Sequence, residues 1–327
     1  MAQSTALKDV TALVREDLER VSATVREALL PDRSELEPLL AHVGSYQGKQ
    51  LRPALVLLIA RALDGLQDSH FEVAAIIEMI HVATLVHDDI LDGALVRRSM
   101  PSLNAIHGHE VSVLLGDYLY AKAFHMSVCM PDQVCSRVLA DVTRVICQGE
   151  ITQMLHRYDL ATDEELYFKV IREKTGVLYG AASQLGAAYA GADAETIRCC
   201  QTFGLSLGTA FQIIDDCLDV EGEEAIVGKS LGTDFGKGKL TLPFLELYAN
   251  LDEARRRRFD EIFQDQHLEG RQETLIREFD LGPGLAYAHD RADDALREAL
   301  NSLSGLPDNE YVEALRAMAD FVLNRRN

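Results

Sequence analysis

The chain has 327 residues, 47% of them hydrophobic, with 8 prolines and a formal net charge of −20. That length accommodates two average domains or one large one, and the apolar content is enough for a sizeable core. The excess of 52 acidic over 32 basic residues argues against a nucleic-acid binder, which needs a basic footprint. Scarce proline and abundant Ala, Leu and Glu favour helix. The six cysteines show no CxxC or Cys/His zinc spacing, and the polar N-terminus does not look like a signal peptide. Reduced thiols and a cytoplasmic location are the expectation. The longest apolar run, Ala74 to Val86, is broken by Glu78 and His81 and falls short of the ~20 residues of a membrane span.

In chain order, Val10, Leu13, Val14, Leu18, Val21, Val25, Leu29 and Leu30 mark a first amphipathic helix. The segment "YQGKQLRP" (46–53) breaks it as a loop and places Lys49 and Arg52 beside a glycine, chemistry that suits phosphate. Helices are predicted over 51–63 and 71–94. The second contains "EMIH", Glu78 and His81, the half-motif of a di-iron carboxylate bundle; no second ExxH occurs in the chain, and that site needs one. His81 on an apolar helix otherwise suits a satisfied core histidine. The same helix runs into "LVHDDILDGALVRR" (85–98). Asp88 and Asp92 lie one turn apart on one face, and Asp89 points about 100° away. Arg97 and Arg98 follow and can fork onto phosphate oxygens. A single DDxxD also fits an acidic helix end, and the arginines a solvated helix terminus.

Helices follow over 109–130 and 133–158, separated by "MPD" (130–132), then over 163–192, which contains Lys174 and Thr175, and over 194–221. The last carries "FQIIDDCLD", in which Asp215, Asp216 and Asp219 repeat the first spacing after another apolar run, Leu205 to Ile214. Packed helices lie ~8–10 Å apart, so two ionised clusters facing one cavity require cations. A few oxygen ligands suit Mg2+, which takes the rest of its shell from water and substrate phosphates. The segment "VGKSLGTDFGKGKLTLP" (227–243) is the least helical and carries Lys229 and Lys239, each of which taken singly fits a surface lysine. Helices over 240–250, 281–303 and 308–325 complete the pattern, with "LGPG" (281–284) as a loop. No hairpin signal, strand run, linker or fixed-period repeat stands out. The expectation is a single all-α domain over 1–327, a layered bundle with some helices buried all round.

The motifs "GKQLRP", "HDDILDGALVRRSMPS", "GEITQ", "KTG", "FQIIDDCLD" and "GKSLGTDFGKGKLTLP" occur in the order seen in trans-isoprenyl diphosphate synthases, the polyprenyl synthetases. The chain resembles that family densely from Tyr46 to Pro243 and loosely elsewhere. The resemblance implies the isoprenoid-synthase bundle with a central cavity, and an enzyme that joins isopentenyl diphosphate to an allylic diphosphate. Asp88, Asp92 and Asp215 match its Mg2+ ligands, with three ions per active site and Mn2+ as a substitute. Asp89, Asp216 and Asp219 match supporting positions. Arg97, Lys174, Thr175, Gln212, Lys229 and Lys239 match the allylic diphosphate site, and Lys49, Arg52, His81 and Arg98 the isopentenyl diphosphate site. Of these, Asp88, Asp89, Asp92, Arg97, Lys174, Asp215 and Asp216 form the implied catalytic set.

Ile80, Ala83 and Thr84 precede Asp88 by eight, five and four positions. In this family a bulky aromatic near there accompanies short products. The small Ala83 and Thr84 imply a long-chain product, C30 or longer, such as a quinone side-chain precursor. The resemblance also implies a homodimer and peripheral membrane contact for product release. Gln47 and Gln50 replace a glycine and an arginine of the family's GGKRLRP, and Ser99 a glycine of RRGxP, which puts local loop shape in question. Rival readings are a geranylgeranyl or farnesyl diphosphate synthase, a class I terpene cyclase, and a non-catalytic subunit of a two-protein synthase. Cyclases usually lack the second DDxxD, and such subunits commonly lose both motifs, which this chain keeps.

Overall fold

The computed structural model describes residues 11–31, 33–44, 46, 48–98, 100–221 and 233–323. Its helices are α1 (Arg15–Ala28), α2 (Glu37–Gly44), α3 (Leu51–Ala62), α4 (Asp68–Leu91), α5 (Leu103–Cys129), α6 (Val134–Leu155), α7 (Glu164–Ile171), α8 (Val177–Tyr189), α9 (Ala194–Glu221), α10 (Thr233–Gly236), α11 (Leu242–Ala249), α12 (Glu253–Gln264), α13 (Arg271–Glu278), α14 (Gly282–Ser302) and α15 (Glu310–Leu323). The all-α expectation holds. A helix apolar all round must be buried all round, and α3 has ten of its 12 residues buried. Helix α4 is long and apolar enough by composition to cross a membrane, but 72% of its most apolar window is buried inside the molecule. It is the central core helix, packed on α5 and α3, while α9 packs between α8 and α14. The two aspartate clusters lie at the C-terminal ends of α4 and α9.

The structure departs from the sequence pattern in several places. The stretch 163–192 is not one helix: a π-helical turn, Arg172–Gly176, separates α7 from α8. Such turns place one extra residue in the helix and re-aim side chains; here they are Lys174 and Thr175. Helix α5 begins six residues before position 109, with a kink at Gly108 (φ 79°, ψ 172°) that suits a residue without a Cβ. Pro283 in "LGPG" lies in the first turn of α14, where its missing N–H costs nothing. A small antiparallel pair joins Val96–Arg97 to Met100–Pro101.

Helices α12 and α13 had no predicted counterpart. In "EARRRRFDEIFQ" the apolar face is three residues, Phe259, Ile262 and Phe263, too few to outweigh the charge in a pattern search. They are buried because they meet Phe235, Phe244, Leu275 and Phe279 in a second hydrophobic cluster. Leu245 and Leu285 pack against both clusters and join this one to the main core.

Candidate active site

Carboxylates at a helix C-terminus face the negative end of the helix dipole as well as one another. Both aspartate clusters are placed this way; the first is surrounded by cations, and the second by hydroxyl, amide and backbone donors. In the first, Asp88 lies 3.7 Å from Lys174 Nζ. Asp92, the C-cap of α4, receives a hydrogen bond of 3.1 Å from Arg157 and lies 3.5 Å from the ammonium groups of Lys237 and Lys239. Burial pushes the Asp92 carboxyl up, but Lys239, Lys237 and Lys174 outweigh it and hold it below the usual carboxylate value. Asp89 is fully buried; it accepts hydrogen bonds of 2.7 Å from the Tyr46 hydroxyl and 2.9 Å from Arg97 Nε.

The second cluster has the same division. Asp215 is half-buried, whereas Asp216 and Asp219 are buried. Asp216 accepts from Tyr167 OH at 2.7 Å and from Gln212 Nε2 at 2.8 Å, and Gln212 Oε1 accepts from Thr175 Oγ1 at 2.8 Å. Burial, with Asp234 and Asp215 nearby, pushes the Asp216 carboxyl up to about 7 against the lowering effect of Tyr167 and Gln212. Asp219 accepts from the Asp234 backbone N–H at 3.1 Å and from Thr233 Oγ1 at 3.3 Å.

One lysine ties the clusters into one basin. Lys239 reaches Asp92 at 3.5 Å and Asp234 at 3.1 Å, and Asp234 in turn holds Asp219. Lys174, on the π turn, pairs with Glu150, donates to Gln153 Oε1 at 3.2 Å and faces Asp88. Burial disfavours the charge on Lys174, but Asp88 and Glu150 more than restore it and its ammonium titrates above the usual lysine value. Asp88, Asp92 and Asp215 are thus the half-open members, facing the basin, while Asp89, Asp216 and Asp219 are used up in hydrogen bonds behind it.

The basic residues predicted for a second anion gather beside the first cluster. Arg98 is exposed, has φ 52°, and donates to the Tyr46 carbonyl. Its guanidinium lies over Gly48, where a Cβ would sit within 2.7 Å of three of its atoms. Arg52 stacks its guanidinium 4.2 Å from the Tyr179 ring centre, and its buried Nε–H finds no acceptor among the described residues. Lys49 lies 5.0 Å over the Phe321 ring. His81 is held well below the usual histidine value, first by burial and then by Arg52, Arg98 and Arg97. Glu78, two-hundredths exposed, is raised by burial against the pull of Arg52 and Arg98. Glu78 and His81 therefore belong to this arginine environment, and the di-iron alternative gains nothing from them. Ile80 and Ala83 are fully buried in the main core, and Thr84 Oγ1 donates to the His81 carbonyl at 2.7 Å. Lys229 lies outside the described residues.

The donor set bears on the metal. Among the described residues no three His, Cys, Asp or Glu side chains converge on one point. The basin therefore supplies a few carboxylate oxygens rather than a closed cage. That fits Mg2+, which takes few protein ligands and completes its shell with water and phosphate. Sequence reasoning missed Tyr46, Arg157, Tyr167 and Lys237. Glu150 and Gln153 sit in the quoted "GEITQ" and Asp234 in "GTDFG", so a signal for them was present. For Tyr46 and Arg157 there was none, because their partners are 43 and 65 residues away.

The polyprenyl synthetase family model matches residues 33–278. The chain is similar to the octaprenyl diphosphate synthase of Escherichia coli, at 34% identity over 98% of this chain and 99% of that one. Among solved structures it is similar to a decaprenyl diphosphate synthase from Rhodobacter capsulatus, with a TM-score of 0.92, 33% identity, and coverage of 98% and 99%. A polyprenyl synthase from Caulobacter crescentus, complexed with calcium and isoprenyl diphosphate, has a TM-score of 0.92, 34% identity and coverage of 98% of each chain.

Proposed function

The chain belongs to the polyprenyl synthetase family, and from that premise we propose that it is a trans-polyprenyl diphosphate synthase. It joins isopentenyl diphosphate to an allylic diphosphate primer and makes a long-chain all-trans polyprenyl diphosphate. The observation that carries this reading is the single basin between the ends of α4 and α9, in which half-open carboxylates and lysines alternate. The octaprenyl and decaprenyl products named for its relatives support the long chain.

Asp88, Asp92 and Asp215 are the residues that would hold Mg2+, three ions by family resemblance, with Mn2+ able to substitute. Held by these residues, it would supply charge neutralisation for the leaving diphosphate of the primer. Lys174, Lys239 and Arg97 present cationic groups to the same diphosphate, and Thr175 and Gln212 hydrogen-bond beside it. Lys174 and Lys239 lie 3.5–3.7 Å from the first-cluster carboxylates, long for direct charge-assisted bonds, and beyond their bonds to Glu150 and Asp234 an ammonium has further donors for a second anion. Lys49, Arg52, His81 and Arg98 bind the diphosphate of isopentenyl diphosphate. The carbon–oxygen bond of the primer breaks with its electron pair leaving on the diphosphate. The double bond of isopentenyl diphosphate attacks the allylic cation, and loss of a proton completes the five-carbon extension. Ile80 and Ala83 belong to the apolar core that precedes Asp88 on α4, and a dry surround would protect the cation from water.

A homodimer accompanies this reading. Leu114 (68% exposed) and Val128 (71%) on α5, and Ile151 (59%) and Leu155 (78%) on α6, form apolar surface that a second copy would cover. The six free cysteines support a cytoplasmic location, and the lipid product calls for peripheral membrane contact at release. The test is elongation by purified protein with Mg2+, radiolabelled isopentenyl diphosphate and allylic primers of increasing length, with products sized after dephosphorylation. Products of C30 or longer are expected. Products stopping at C15 or C20 overturn the long-chain assignment, and no elongation from any primer overturns the enzyme class.

A further inference from the structure

Tyr46 opens the "YQGKQLRP" loop before α3, carries no charge itself, and touches both groups of cationic residues. Its side chain is 2% exposed. The hydroxyl oxygen accepts from the Leu103 backbone N–H at 3.1 Å, at the first turn of α5. A phenol has one proton, and with its oxygen engaged by Leu103 that proton is directed to Asp89 Oδ2, 2.7 Å away. The other oxygen, Asp89 Oδ1, accepts from Arg97. The Tyr46 carbonyl accepts from Arg98. One residue therefore fixes the neighbouring arginines by different routes: Arg97 through the hydroxyl and a buried carboxylate, Arg98 directly through the backbone.

The segment that carries these arginines is also tied at its base and across its short antiparallel pair. Ala94 N–H donates to the Asp89 carbonyl at 2.8 Å, Ser102 Oγ donates to the Ala94 carbonyl at 2.6 Å, and Ser102 N–H donates to the Leu95 carbonyl at 2.9 Å. Between those ties Arg98 stands at φ 52°, a conformation that costs free energy unless surrounding contacts hold it. A guanidinium that can fork onto phosphate has to be held at a fixed angle to do so.

We propose that Tyr46 is a positioning residue that couples the two diphosphate subsites, setting Arg97 for the primer through its hydroxyl and Arg98 for isopentenyl diphosphate through its carbonyl. This rests on the prenyltransferase reading above. Tyr46→Phe removes the hydroxyl arm and keeps the carbonyl arm, so the two substrates should respond differently. The variant should lose about tenfold in kcat/KM for the allylic primer, the scale of one hydrogen bond to a charged group, while KM for isopentenyl diphosphate stays within about twofold.

The experiment is a cycle of wild type, Tyr46→Phe, Asp89→Asn and the double variant, in the full-length protein, with kcat and both KM values and a thermal melt for each. If Tyr46 acts through Asp89, the double variant is no worse toward the primer than Asp89→Asn by itself. Additive losses, equal changes in both KM values, or an unchanged Tyr46→Phe overturn the proposal while leaving an active wild-type enzyme. A wild type that elongates no primer overturns the prenyltransferase reading instead. Should Asp89→Asn fail to fold, Tyr46→Phe against Arg97→Gln and Arg98→Gln decides. Non-additivity with Arg97→Gln and additivity with Arg98→Gln supports the hydroxyl route, and the reverse overturns it.

Discussion

At the scale of single residues, neighbours in the first cluster carry opposite tasks. Asp88 is half-open beside Lys174, whereas Asp89 is sealed behind Tyr46 and Arg97. Asp88→Ala should abolish elongation while changing stability by less than about 1 kcal/mol, since a long 3.7 Å pair contributes little and Lys174 keeps Glu150. Asp89→Ala leaves a buried hydroxyl and a mostly buried guanidinium without their acceptor, and should cost roughly 3 kcal/mol. Assays paired with chemical denaturation separate the two; equal destabilisation would refute the division. A second residue-scale effect is acid sensitivity. His70 and His81 are both held below 6.5 in the folded chain, chiefly by burial. The unfolded chain therefore binds more protons, and their contribution to stability is present above pH 6.5 and lost as pH falls from there through the lower folded values. Melting temperature should drop between pH 7.5 and 5.5, and His81→Gln should flatten that slope. An unchanged slope would mean that carboxylates dominate the acid limb.

At the scale of elements, α4 carries the half-open carboxylates at its end and the proposed product path below them. Five positions before Asp88 are roughly 7.5 Å of helix, which places Ala83 about a turn and a half down. Ala83 is fully buried. Ala83→Phe should shorten the product distribution toward C15–C20 by family resemblance, with an added-volume penalty of about 1–3 kcal/mol if the site is closed in the substrate-free protein. Chromatography of dephosphorylated products checks it, and an unchanged ladder would show that the tail runs elsewhere. The π turn is the other element with a task. A regular helix through Arg172–Gly176 would rotate Lys174 by about 100° per residue removed, away from Asp88 and Gln153.

For the whole molecule, the apolar residues exposed on α5 and α6 are the seam in the proposed homodimer. Leu114 and Val128 are 128 − 114 = 14 residues apart, about four turns, and so share a face. Leu114→Glu combined with Ile151→Glu should give a monomer by light scattering, because burying two carboxylates in an apolar seam is unfavourable. A dimer surviving both changes would place the seam elsewhere.

The helical class, both aspartate clusters and most of the cations near them are legible in the chain's local patterns. Helix periodicity is a local property, and Asp88, Asp92, Asp215, Lys174 and Lys239 stand in motifs that can be seen without knowing what they touch. Charged helix ends next to apolar runs also demand counter-cations wherever they occur. Only the tertiary structure decided which aspartates stay open and which are sealed, because that turns on Tyr46 meeting Asp89 and Tyr167 meeting Asp216 across 43 and 49 residues. It likewise decided that Arg157 caps Asp92, that a π turn aims Lys174, and that the sparse apolar faces of α12 and α13 are enough. Those faces find partners only when Phe235 and Phe279 are brought to them. Contacts between distant segments depend on how helices pack, and no local pattern in the chain records that packing.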